Sequence, residues 1–125
     1  MTTMTDQKKK ILVVDDDRAI LEVVTIVLSE AGYTVLPARD VTSGKKILEK
    51  EIVQVALVDL WLGKENGESL IDHMKRSDKT KSIPVIILSA VGAEVEKKAK
   101  EIGASDFLSK PFDINDLVAC VEKYS

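Results

Sequence analysis

Val55-Ala56-Leu57-Val58 is an unbroken apolar run that ends on a carboxylate, Asp59. A run this short, with no polar face, fits a strand buried on both sides, the kind found in parallel sheets. Ile11–Val14, Tyr33–Leu36, Ile83–Leu88 and Ser105–Leu108 read as four more strands, with Pro37 closing the second and Pro84 tolerated at the start of the fourth. Between and after them the apolar period changes to three and four. Ile20, Val23, Val24, Val27, Leu28 and Ala31 predict a helix stopped by Gly32, and Val41, Ile47 and Leu48 one capped by Asp40. Leu70, Ile71 and Met74 mark a third, and Val91, Val95, Ala99 and Ile102 a mostly solvated fourth that Gly103 ends. Asp113 caps a fifth, with Ile114, Leu117, Val118 and Val121 facing inward. Alternating strands and helices with right-handed crossovers imply an α/β fold: a single doubly wound, five-stranded parallel sheet flanked by five helices.

A chain of 125 residues fits one domain and needs no disulfide or structural metal to hold its core. Residues 1–9 read as a disordered leader and 10–124 as the domain. Hydrophobic residues at 45% and charged residues at 31% argue against a disordered or membrane-spanning chain. A net charge of -3 argues against direct nucleic-acid binding, which needs clustered cations, so the expected partner is a protein. Cys120 is the only cysteine, and the apolar run after Lys8-Lys9-Lys10 is far too short for a signal peptide. A cytoplasmic protein is expected, with Cys120 packing beside an apolar stripe rather than reacting.

Ligands of open α/β sheets bind outside the carboxyl ends of the strands. Asp15 and Asp16 end the first strand, Asp59 the third, Ser89 the fourth, and Lys110 follows the fifth. Carboxylates gathered there repel one another, by roughly 4 kcal/mol for two charges about 4 Å apart at an effective dielectric of 20. A hard divalent cation relieves this, and an open site of few oxygen ligands suits Mg²⁺. With the metal and Lys110 neutralising phosphoryl oxygens and Ser89 offering a hydroxyl, Asp59 is placed to accept a phosphoryl group. Asp17 reads as a helix cap or a solvent-facing acid.

Ile11-Leu12-Val13-Val14-Asp15-Asp16, Val58-Asp59-Leu60 followed by Gly67, Leu88-Ser89-Ala90 and Ser109-Lys110-Pro111-Phe112 together resemble a bacterial response regulator receiver domain of the chemotaxis-regulator type. The resemblance spans about residues 10–124 and implies a flavodoxin-like fold with strand order 2-1-3-4-5. It implies Asp59 as phosphoacceptor, Asp16 as direct metal ligand, Asp15 as a ligand largely through water, and the Trp61 carbonyl as a further ligand. Ser89, Ala90 and Lys110 would bind the phosphoryl oxygens, and the Lys110–Pro111 bond would be cis. Ser89 and Phe107 would form the switch, relaying the signal to the face of the fourth helix, fifth strand and fifth helix. The implied partners are a sensor histidine kinase or histidine phosphotransfer protein and a downstream protein target, with no direct nucleic acid or membrane. Gly63 and Asn66 stand where the family often has proline and aspartate, Ser89 replaces the commoner threonine, and Phe107 a frequent tyrosine.

Three other readings compete. Asp15-Asp16-Asp17 can be taken as the Asp-x-Asp of a haloacid-dehalogenase-like phosphohydrolase, but that needs an acidic metal motif after the lysine, and Asp113 and Asp116 fit a helix start better. A receiver-like docking module that never carries phosphate usually lacks an acid or the lysine, and this chain keeps them all. A flavin binder would set Gly, Ser or Thr against phosphate in the first loop, where acids stand here. Trp61 covers loop backbone or, with Val91, shields an acyl phosphate from water. His73 reads as a part-exposed helix residue rather than a phosphoryl relay.

Overall fold

The computed structural model describes residues 8–89 and 93–125. Its strands are β1 (Lys10–Val14), β2 (Thr34–Ala38), β3 (Val55–Asp59), β4 (Trp61–Leu62), β5 (Glu65–Asn66), β6 (Val85–Ser89) and β7 (Asp106–Ser109). The helices are α1 (Arg18–Glu30), α2 (Val41–Lys50), α3 (Glu68–Lys75), α4 (Ala93–Glu101) and α5 (Ile114–Tyr124). Five strands form one parallel sheet in the order β2-β1-β3-β6-β7, which is the 2-1-3-4-5 order once the short β4–β5 hairpin is set aside.

Every residue of β3 is buried, as the apolar run Val55–Val58 requires, because both faces of the sheet are covered. Ile11, Val13, Val55, Leu57, Ile86 and Leu88 pack on one side with Leu21, Val24 and Leu28 of α1 and Leu117 and Val121 of α5. Leu12, Val14, Ala56, Val58, Val85 and Ile87 pack on the other with α2, α3 and Ala99 of α4. Each fully buried Leu, Ile or Val contributes about 1.5–3 kcal/mol, so the two layers fix strand register firmly.

Four local expectations are corrected. Pro37 does not close the second strand but lies within β2, opposite Val13. β2 is a sheet edge, so a missing N–H there costs little. The buried face of α1 is centred on Leu21, Val24 and Leu28, leaving Val23 44% exposed. Ile114 opens α5 at the surface, 52% exposed, because the first turn stands clear of the sheet that Leu117 and Val121 cover. The stretch after Asp59 is not plain loop: Trp61 pairs with Asn66 and Leu62 with Glu65, and Gly63 turns the chain at φ 63°. Residues 1–7 of the expected leader, and the positions of Ala90 and Val91, lie outside the described residues, as does the Val95 side chain. Lys9 already joins the fold, its carbonyl accepting the Thr34 N–H at 2.9 Å.

Candidate functional site

Register delivers the polar groups to one rim. Val14 is level with Val58, Asp59 with Leu88, and Ser89 with Ser109. Asp15, Asp59, Ser89 and Lys110 therefore leave neighbouring strands at nearly the same height, although up to 95 residues separate them in sequence. The acids cannot withdraw inward, because the residues before them are locked in the core.

Lys110 Nζ lies 2.7 Å from Asp15 Oδ2 and 2.9 Å from Asp59 Oδ2. The other oxygens are also held: the Asp17 N–H donates to Asp15 Oδ1 at 2.9 Å, and the Trp61 N–H to Asp59 Oδ1 at 3.0 Å. Asp15 is fully buried and Asp59 is 5% exposed, while Asp16 reaches solvent. Burial raises the Asp15 pKa above the ordinary carboxylate value, and the pull of Lys110 only partly offsets it. Burial alone would lower the Lys110 pKa, but its hydrogen bonds and charge contacts with Asp15 and Asp59 outweigh that, so the ammonium is held above its usual range.

One oxygen each from Asp15, Asp16 and Asp59 can be chosen so that all lie within 4.8 Å of one another. An all-oxygen donor set with one exposed member suits a hard divalent cation that keeps several waters. Ser89 is buried, and its Oγ has no hydrogen-bond partner among the described residues, while its carbonyl accepts the Lys110 N–H at 2.6 Å. A buried hydroxyl with no partner among the described residues can donate to a ligand oxygen. The Lys110–Pro111 peptide is cis. Phe107, level with Ile87, packs half-buried against the core on the α2–α3–α4 side.

Gly67 closes the loop tightly against the acid. Any Cβ on it would overlap the Asp59 carbonyl oxygen, and its N–H donates to the Leu60 carbonyl at 2.9 Å. In the sequence Gly67 is marked by its spacing from Asp59 alone, and the two-residue strands of the hairpin carry no periodic signal. Trp61 is 64% exposed beside this cluster. Asp17 caps α1, accepting from Ala19 N–H, and stays out of the cluster of three acids. His73 is exposed in the last turn of α3. The Cys120 thiol, packed near Asp106, is pushed up to about 12 by burial and then by the carboxylate, which suppresses nucleophilic chemistry. Among the described residues no helix is long and apolar enough to cross a membrane.

The same combination recurs in known proteins. Residues 11–122 match the family model described as the response regulator receiver domain. The chain is 36% identical over 113 residues to the DNA-binding dual master transcriptional regulator RpaA of Synechocystis, covering 90% of this chain and 47% of RpaA. It is equally 36% identical over 115 residues to the phosphate regulon transcriptional regulatory protein PhoB of Escherichia coli, covering 91% of this chain and 50% of PhoB. It thus spans about half the length of the curated relatives it matches. Among solved structures, a putative response regulator from Chloroflexus aurantiacus superposes with a TM-score of 0.89 at 29% identity, covering 94% of this chain and 98% of that one. The chemotaxis response regulator CheY4 of Vibrio cholerae gives 0.88 at 25% identity, covering 95% of this chain and 100% of that one. With the family model spanning nearly all of the sheet and helices, this chain belongs to the response regulator receiver family, the phosphorylation-activated switches of two-component signalling.

Proposed function

We propose that Asp59 is the phosphoacceptor of this receiver, charged by the phosphohistidine of a sensor histidine kinase or a histidine phosphotransfer protein. The observation that carries this reading is Lys110 Nζ bridging Asp15 and Asp59 at 2.7 and 2.9 Å, beside the solvent-facing Asp16. An Asp59 carboxylate oxygen forms the new O–P bond as the donor's P–N bond breaks, and the bond electrons leave with the imidazole nitrogen. Asp16, Asp59 and the Trp61 carbonyl would hold Mg²⁺ directly, with Asp15 acting through water. The ion supplies charge neutralisation at the phosphoryl oxygens.

Lys110 turns its ammonium from the carboxylates to a phosphoryl oxygen, and Ser89 donates its hydroxyl to another. Ala90, assigned to the same oxygens from the resemblance, lies outside the described residues. Drawing Ser89 and Lys110 inward biases the α4–β7–α5 face between two arrangements, with Phe107 following by packing alone because it has no hydroxyl. A downstream protein reads that face. Residues 10–124 act as the phosphoryl-accepting unit, in the cytoplasm, and the same rim assists slow hydrolysis of the acyl phosphate. Labelled acetyl phosphate with Mg²⁺ tests the assignment: the label is expected on Asp59, retained at that position in Asp15→Asn and absent in Asp59→Asn. Label found on Asp15 instead would favour the phosphohydrolase reading.

A further inference from the structure

Glu65 stands on the return strand of the hairpin, exposed to solvent, yet its Oε1 accepts the backbone N–H of Val41 at 3.2 Å. Val41 is the first residue of α2, so its N–H is one of the donors that a helix start leaves unpaired. Asp40, the cap of that helix, spends its side chain on the Ser43 N–H at 2.7 Å. A carboxylate from outside the helix completes the end, where the helix dipole also favours negative charge.

Two paired residues on each side cannot hold a hairpin in water, so the position of β4–β5 depends on what it is tied to. Leu62 is buried in the core, the Trp61 N–H reaches Asp59, and Gly67 presses on the Asp59 carbonyl. Those three ties lie near the ends of the hairpin and along its outgoing strand. On the returning strand Asn66 is held by the adjoining start of α3, its Oδ1 accepting the Glu68 N–H and its carbonyl the Ser69 hydroxyl, both at 2.9 Å. Glu65 ties that strand to α2, an element distant in sequence. The turn between the two strands lies beside the acids: a Cβ on Gly63 would stand 3.8 Å from Asp16 Oδ2.

We infer that Glu65 is a positioning residue for the cation site, holding the hairpin to the start of α2 so that the Trp61 backbone and the wall beside Asp16 stay in place. The inference rests on the magnesium reading above. Mg²⁺ affinity measured by calorimetry on the whole chain, together with hydrogen exchange of the Val41 amide without metal, separates the possibilities. Glu65→Ala is expected to weaken Mg²⁺ binding roughly threefold to tenfold, the scale of one net hydrogen bond, and to speed Val41 exchange. Glu65→Gln, which keeps an acceptor oxygen but loses the charge that the helix start favours, is expected to fall between the wild type and Glu65→Ala in both. A Glu65→Ala chain with wild-type Mg²⁺ affinity overturns the inference alone, as does a Glu65→Gln chain that binds as weakly as Glu65→Ala. A wild-type chain with no Mg²⁺ binding overturns the magnesium reading and the inference together.

Discussion

Gly67 and Asp59 touch backbone to side-chain position: the hydrogen that stands for a side chain on Gly67 points at the Asp59 carbonyl, leaving no room for a methyl group. Gly67 has φ -59°, so space and not backbone freedom demands glycine here. Gly67→Ala must push either the end of β3 or the start of α3. Overpacking against rigid backbone is expected to cost about 1–3 kcal/mol or more in urea unfolding and to lower phosphoryl acceptance by shifting Asp59. Unfolding within 1 kcal/mol of the wild type, on the order of the smallest overpacking costs, would show that the loop moves freely.

The charge of Asp15 works against stability in the metal-free protein. Its folded pKa lies above the ordinary 3.8, first because of burial, so the native state keeps that proton to higher pH than the unfolded chain. Stability from this group therefore falls as pH rises from 3.8 through the folded value, and the cost is complete above it. Metal-free Asp15→Asn is expected to melt higher than the wild type at neutral pH, with the gain shrinking as pH drops through that window. Lys110 behaves oppositely: its folded pKa is raised, so its contribution is intact below the ordinary 10.5 and is lost as pH climbs through the folded value. Melting scans across both windows check the two signs.

Ser89 buries a hydroxyl with no partner among the described residues. Removing an unpaired polar atom relieves desolvation, so Ser89→Ala is expected to leave resting stability unchanged or raise it by up to about 1 kcal/mol. The same variant is expected to accept phosphoryl groups on Asp59 yet show a smaller change at α4–β7–α5, read by amide chemical shifts with and without acetyl phosphate. A full wild-type response would remove Ser89 from the switch.

Trp61 carries its ring 64% exposed and donates its backbone N–H to Asp59 Oδ1. If the ring covers the acyl phosphate, Trp61→Ala speeds phosphate loss from the labelled protein, while Trp61→Phe loses less of the protection. Equal decay of all three proteins would make the ring a surface residue only. In the wild type, indole fluorescence is expected to respond to Mg²⁺ if the Trp61 carbonyl is a ligand of the ion as proposed.

Apolar runs ending in Asp15, Asp59 and Ser89 made the sheet and its polar rim legible in the sequence, because strands buried on both faces cannot hide their pattern and parallel strands expose only their ends. The caps at Asp17, Asp40 and Asp113 were legible for a similar reason, each being a local hydrogen bond to nearby N–H groups. What tertiary structure decided was everything set by contact between distant segments. Period alone could not distinguish Leu21 from Val23 as the inward residue of α1, since the sheet against which the helix settles makes that choice. Nor could it place Pro37 within an edge strand, order the hairpin after Asp59, or pair Glu65 with Val41. Register across β1, β3, β6 and β7 brought Lys110 between two carboxylates; local sequence carries no term for a distance spanning separate strands.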